Sequence, residues 1–552
     1  MRPIVANSAA SSEGILSSSA VMAAGTIVSR LSGFVRGALL VAVLGSGLHA
    51  DIFNLANTLP NMLYILLAGG VFNAVLVPQV VRAMRNDADG GAAYINRIVT
   101  LAAIFLTIVT ILLVVAAPLV MRIYLGQAWY EPRLAEQRES AIAFARYCLP
   151  QVFFYGMFVL VGQVLNARKR FGPMMWAPIA NNILSVLVIV AYLVAYGRVD
   201  SDSNAPFTST QEALLGIGST LGIAVQLLIL LPYLRSSGVF YRPRFDFRNT
   251  GLGQTLRLGM WTVFFVLVNQ VALAVVYRIA GTGATQDRSG TGLTVYQNVY
   301  ILMQVPHSVI TVSLATAMAT LLSTYAAAKQ GKELAESMTS TTRLAAALVI
   351  PVYALVVIVA GPISHVVYGF QKDTEAWRNF VPTMALFPFA LMCFTFHYLM
   401  LRGFYAIERN KLVFWVQCLI ASVNIVAAIA LTRNIDPRDT APHLVLAYGA
   451  SYLVGASVSA WLLRRHIPGF TIGWSFAARL VVSIAGAAAI GWLTLLGLQH
   501  TWGEQSIPLA LASGTITALA FGVTYLGLAR LMGVKETNEV LTLVQSRLRR
   551  AS

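Results

Sequence analysis

Along most of its length the chain alternates between apolar runs of about twenty residues and short polar interruptions, the pattern of helices that cross a bilayer. Fourteen runs stand out, at roughly 15–43, 51–81, 94–121, 140–165, 174–197, 209–234, 256–280, 293–325, 338–364, 379–402, 412–432, 443–463, 475–499 and 507–533. No long hydrophilic interval is left for an appended soluble domain. The pattern therefore predicts an all-α polytopic membrane protein of about 14 transmembrane helices.

The first two runs break their own pattern. Arg30 and Arg36 sit deep in the first, and Asp51, Asn54, Asn57 and Asn61 run along the second. A cation at the centre of a spanning helix costs about 2.5 to 3.5 kcal/mol on insertion scales, so two of them are kept where they face protein or water. At about 100° per residue the three asparagines fall within about 60° of one another, with Asp51 about 60° further round. Arg30 and Arg36 lie about 9 Å apart along the axis and about 120° apart around it. Such a pair can grip two parts of an extended anion, or one arginine can bind Asp51 while the other faces a cavity. The alternative is a pair of anchors, with Asp51 capping free N–H groups at a helix start.

The connection LRSSGVFYRPRFDFRNTGLGQTLR after the sixth span divides the chain. The expected parts are a polar tail at 1–14, an N-lobe at 15–234, a basic linker at 235–255, a C-lobe at 256–463, a final pair of spans at 464–533 and an amphipathic tail at 534–552. A faint echo supports two lobes: Leu149-Pro150 opens span four, which ends in LNARKRF, and Val381-Pro382 opens span ten, which ends in LRGFYAIERNK. Facing lobes around a polar centre are a common transporter plan. Interior amides at Asn181, Asn182, Asn269, Gln270, Gln297, Asn298 and Gln304 are candidates for cavity lining or for joining helices.

Composition agrees: of 552 residues 57% are hydrophobic and only 11% charged, with a mean hydropathy of +0.71. With the N terminus inside, the inner connections and tails hold 26 lysines and arginines against 11 outside. By the positive-inside rule both termini are expected in the cytoplasm. The net charge of +17 then follows from topology and anionic lipid, and spread over many segments it excludes a nucleic-acid face. No nucleotide loop, HExxH motif or acid cluster is present, so neither an enzyme nor a cofactor is expected. Cys148, Cys393 and Cys418 lie in apolar stretches and read as core residues. His307, beside Pro306, is the histidine placed most conspicuously.

SRLSGFVRG, followed by ADIFNLANTLPN and AGGVFNAVLVPQ, resembles the opening of the MurJ/MviN family, the lipid II flippases of bacterial peptidoglycan synthesis. The likeness continues through LNARKRFGPMMWAPIANNI, PRFDFR, MQVPHSVITVSLATAMATLL and RGFYAIERNK. It implies the fold of the multidrug/oligosaccharidyl-lipid/polysaccharide exporter superfamily, with two six-helix lobes around a cationic cavity and two last helices forming a lipid-tail groove. Arg30 and Arg36 match the family's helix-one arginines, and Asp51 its acid at the start of helix two. The chain departs at Gly37, where an acid is common, at Tyr64, Ile65 and Ile301, where arginines are common, and at Gln304 in place of a glutamate.

The expected substrate site is thus Arg30, Arg36, Asp51, Asn54, Asn57, Asn61, Gln297, Asn298 and Gln304, with lipid II moved between leaflets of the bacterial cytoplasmic membrane. Membrane lipids, a coupling ion and cell-wall synthesis proteins are the further partners the resemblance suggests. A flippase for another polyprenyl-linked glycan, or a cation-coupled multidrug antiporter, are the competing readings.

Overall fold

The structure, a computed structural model, describes residues 25, 28–66, 77–87, 89–168, 170–199, 205–246, 252–287, 290–503 and 506–537. Of the two tails of the sequence reading, 1–14 falls outside them, and of 534–552 only 534–537 is described. The described residues form helices joined by turns, with no strand among them.

The chain divides into two compact units, Met1–Arg288 and Ser289–Ser552. The first holds α1 (28–44), α2 (Leu48–Ile65), α3 (Val77–Asn86), α4 (Ala92–Val115), α5 (Ala117–Tyr124), α6 (Ala135–Cys148), α7 (Gln151–Ala167), α8 (Gly172–Tyr196), α9 (Ser209–Ser236) and α10 (Leu252–Gln286). The second holds α11 (Leu293–Pro306), α12 (Val312–Ala327), α13 (Gly331–Ile358), α14 (Ala360–Tyr368), α15 (Val381–Ala406), α16 (Asn410–Leu431), α17 (Thr440–His466), α18 (Trp474–Trp502) and α19 (Ile507–Leu531). The division by packing falls after α10, whereas the division by sequence pattern falls before it.

Twelve helices among the described residues are long and apolar enough to cross a membrane, and they correspond one to one with the third to fourteenth expected spans. The first two expected spans, 15–43 and 51–81, are described only in part, as α1 and α2 with α3 beginning at Val77. Neither is among the twelve: α1 is described over 28–44 alone, and the polar stripe of α2 lowers its hydropathy.

Prolines set several helix boundaries, because a missing N–H and a fixed φ suit a first turn and break an interior one. The third span is shorter than expected: α4 ends at Val115 and α5 restarts with Pro118 in its first turn. In the second unit α13 ends at Ile358 and α14 restarts, with Pro362 early in it. Each restart is followed by 3-10 turns; in the second unit these run straight into α15 with Pro382 in its first turn, whereas in the first they lead into α6, and Pro150 falls between α6 and α7 rather than at the opening of the fourth span as the sequence pattern suggests. The eighth span runs as α11, a π-helical turn His307–Thr311 just after Pro306, and α12. A capping box at Thr208 and Gln211 starts α9.

In the first unit α4, α7 and α9 share a core built from Ile95, Ile98, Leu106, Phe158, Val161, Leu165 and Leu230. Gly156 lets α4 come close, since a Cβ there would stand 2.5 Å from Leu106 Cδ1. In the second unit Tyr525 of α19 donates to the Ala347 carbonyl of α13, tying the last pair of spans to the bundle. His307 is a satisfied core histidine: its Nδ1 is 2.9 Å from Thr395 Oγ1, and its ring packs on Phe394 and Tyr398.

Candidate functional site

Helix α1 is fixed by one face. Asn182 of α8 donates through Nδ2 to the Ser29 carbonyl at 3.0 Å and to Ser32 Oγ at 2.8 Å, and Gly33 faces that amide. Residues 29, 33 and 36 share this face by helical spacing. Arg36 therefore turns toward neighbouring helices, and it is half-buried within electrostatic reach of Tyr155 on α7. Arg30, about 120° round, is exposed. Neither guanidinium has a hydrogen-bond or ion-pair partner among the described residues.

A second seam joins α2 to α7. Gln151 Nε2 donates to Asn57 Oδ1 at 2.9 Å, and one turn on Tyr155 meets Tyr64 with ring centroids 4.7 Å apart. Tyr64, one of the positions where the family resemblance leads one to expect an arginine, thus helps form the surface beside Arg36. Gln151 and Tyr155 were not legible as site residues, because α7 reads as a uniformly apolar span with proline before it.

The polar stripe of α2 changes along its length. Asp51 is fully buried (0% exposed), Asn54 and Asn57 are half-buried, and Asn61 is exposed. The partner end of α1 behaves alike: Leu40, Val41, Val43 and Leu44 are buried, while Arg36 and Arg30 are progressively open. The α1–α2 hairpin is packed shut at its turn and open toward the other end, where the two arginines and Asn61 lie. Pro60 inside α2 has no N–H to give to the Ala56 carbonyl one turn earlier, so that acceptor lacks its usual intrahelical donor.

The remaining amides divide. Gln270 of α10 donates to the Met62 carbonyl of α2 at 2.7 Å, and Asn269 donates to Phe265 in its own helix. Asn181 lies against Gly222 of α9, within the helix contact. In the second unit Asn298 is buried and bonded to Thr294 of its own helix. Gln297 and Gln304 are half-buried, with Gln304 donating to Tyr300, and Ile301 between them is exposed. They share one face of α11, and Asn298 is not on it. The second unit also holds a cavity of about 560 Å³ bordered by Lys329, Tyr405 and Glu408 at two helix-end turns, with none of the expected site residues in its wall.

Many apolar spans, a helix bearing two arginines unpaired among the described residues, and an amide stripe that opens at one end define a membrane transporter for a polar or anionic group. The comparisons give the family. The model of the lipid II flippase MurJ family matches residues 40–513, and the chain belongs to that family. A probable lipid II flippase of Haemophilus influenzae is 28% identical over 45% of this chain, and the chain spans only 47% of that relative. The lipid II flippase of Burkholderia cenocepacia is 24% identical over 92% of this chain and 96% of its own. A solved lipid II flippase MurJ in an inward closed conformation superposes with a TM-score of 0.68 at 16% identity, over 92% of this chain and 98% of that one, which establishes the fold.

Proposed function

We propose that this protein moves lipid II, the undecaprenyl-diphosphate-linked peptidoglycan precursor, from the inner to the outer leaflet of the bacterial cytoplasmic membrane. The observation that carries the reading is the pair Arg30 and Arg36. Both are cations inside a helix of the first expected span, both lack a hydrogen-bond or ion-pair partner among the described residues, and both lie on the open half of the α1–α2 hairpin. A diphosphate supplies what they lack, since guanidinium binds phosphate oxygens in a charge-assisted, forked geometry. Asn54, Asn57 and Asn61 continue the polar path, and Gln297 and Gln304 offer a second polar face. Asp51, closed off at the packed end, acts in this reading as a support of the hairpin turn.

Both termini are cytoplasmic in this proposal, which places the open half of the hairpin toward the inner leaflet, where lipid II is made. Membrane potential, with or without a coupled ion, supplies the drive. Spans α18 and α19 receive the lipid tail. Exposed Val481, Trp492 and Leu493 on α18, with Leu519 and Val523 on α19, give them an apolar outer surface suited to that role. The test is depletion of the resident flippase in a bacterium carrying this gene: lipid II should accumulate, and expression of this chain should clear it. Accumulation of a different lipid-linked glycan would assign the protein to that substrate instead.

A further inference from the structure

The linker after α9 is fastened to α4 by side chains. Asn96 Nδ2 donates to the Phe240 carbonyl at 3.4 Å, and its Oδ1 accepts from the Arg242 N–H at 3.3 Å. One turn on, Thr100 Oγ1 accepts from the Arg244 N–H at 3.1 Å and lies 3.1 Å from the Tyr241 hydroxyl. Asn96 and Thr100 are both buried, and they take up backbone groups at every second linker residue, as a docked strand does. Arg97 pairs with Asp246, holding that carboxyl below the usual carboxylate range, with the Arg244 charge adding to the effect.

This pinned strand displays a particular surface. Phe240 and Phe245 are 66% and 69% exposed, Tyr241 is 45% exposed, and between them Arg242 and Arg244 point outward. The Arg242 guanidinium has no partner among the described residues, and Arg244 has Asp89 and Asp246 within electrostatic reach. Directly above, on the same side of α4 by helical spacing, stands an exposed ridge of Ile104, Ile108, Ile111 and Val115. That ridge begins about 6 Å above Thr100 along the axis, so the strand sits at the edge of the hydrocarbon layer, where aromatic and arginine side chains concentrate.

We propose that residues 240–246 form a seat for one anionic phospholipid of the cytoplasmic leaflet, with its phosphate on Arg242 and Arg244 and its acyl chains along the α4 ridge. Charge and depth both favour a lipid occupant over a soluble one. The proposal rests on the cytoplasmic orientation given above, but not on which lipid is transported. Held in place by α4, the linker between the sixth and seventh spans senses the anionic lipid content of the inner leaflet through the occupancy of this seat.

The experiment uses the full chain in nanodiscs of phosphatidylcholine with and without phosphatidylglycerol. Retained phosphatidylglycerol is counted by native mass spectrometry, and thermal midpoint is recorded alongside. An arginine near an anionic surface contributes about fivefold, so the R242Q/R244Q double variant should bind phosphatidylglycerol on the order of 25-fold more weakly. Its midpoint in phosphatidylcholine alone should be unchanged. The N96A/T100A variant, which keeps both arginines but frees the strand, should lose part of the preference, and R464Q/R465Q, elsewhere on the basic surface, should keep it. Equal binding by wild type and R242Q/R244Q would overturn the proposal, as would an equal loss in R464Q/R465Q. Impaired growth of R242Q/R244Q with unchanged lipid binding would assign the strand to a protein partner and also overturn it. Because binding is read without lipid II, failure here is separable from failure of the flippase reading. Labelling of an R242C variant from the cytoplasmic side tests the orientation separately.

Discussion

A guanidinium held inside a membrane helix without a hydrogen-bond partner keeps most of its solvation cost, and a fold retains two of them where a ligand or water provides compensation. Arg30 and Arg36 meet that description, whereas Asp51 is sealed in the hairpin turn. If the pair binds a diphosphate, charge and fork geometry both matter. Arg30→Ala and Arg36→Ala should each abolish complementation of a flippase-depleted strain at normal membrane abundance, and the lysine variants should restore growth only in part. Lysine variants that complement fully, or alanine variants whose defect is low abundance, would make the arginines anchors. The arginines and the amide stripe were legible in the sequence because polar residues inside an apolar run stand out against it and must face protein or water. Tyr155 and Gln151 were not, since a tyrosine and a glutamine near a proline at a span start carry no periodic signal until the neighbouring helix is in place.

Helix α10 shows how an element can be tied by its C-terminal end. Arg278 donates to the carbonyls of Arg122 and Ile123 at the end of α5, Trp129 Nε1 donates to the Gly281 carbonyl at 2.7 Å, and Arg133 donates to the Thr285 carbonyl at 2.7 Å. The last carbonyls of α5 lack partners within their helix, and a cation suits that end. Trp129 is fully buried. Trp129→Ala should therefore cost about 3 to 5 kcal/mol through the cavity, and Trp129→Phe about 1 to 3 kcal/mol through the unpaired carbonyl, both read as a fall in thermal stability in detergent. An unchanged midpoint for the alanine variant would mean that this contact does not hold α10. Periodicity places α10 as a span but says nothing of its packing partner, because long-range side-chain to backbone bonds leave no mark on hydropathy. For the same reason the restarts at α5 and α14 were read as ends of long spans, although Pro118 and Pro362 signal them once a helix is known to stop just before.

At the scale of the whole molecule, apolar run length and charge asymmetry carried most of the reading, because a bilayer leaves helices as the simple solution for a chain of this composition. The number of spans is where polarity interferes: the stripe of Asp51, Asn54, Asn57 and Asn61 makes α2 less apolar than the twelve helices that read plainly as spans. The charge distribution predicts that reporter fusions after Ala128, Ala205 and Asp373 read external, and those after Asp89, Arg170 and Ser237 internal. A fusion of the opposite sign at either end would invert the direction in which the α1–α2 hairpin opens. The central claim is movement of lipid II across the membrane, and the most direct measurement is the fraction of cellular lipid II open to an externally added lipid II-cleaving enzyme. In a strain depleted of its own flippase, this chain should restore that externally cleaved fraction to the undepleted level, and the Arg36→Ala variant at equal abundance should not. A fraction that stays at the depleted level with the wild-type chain present would contradict the account.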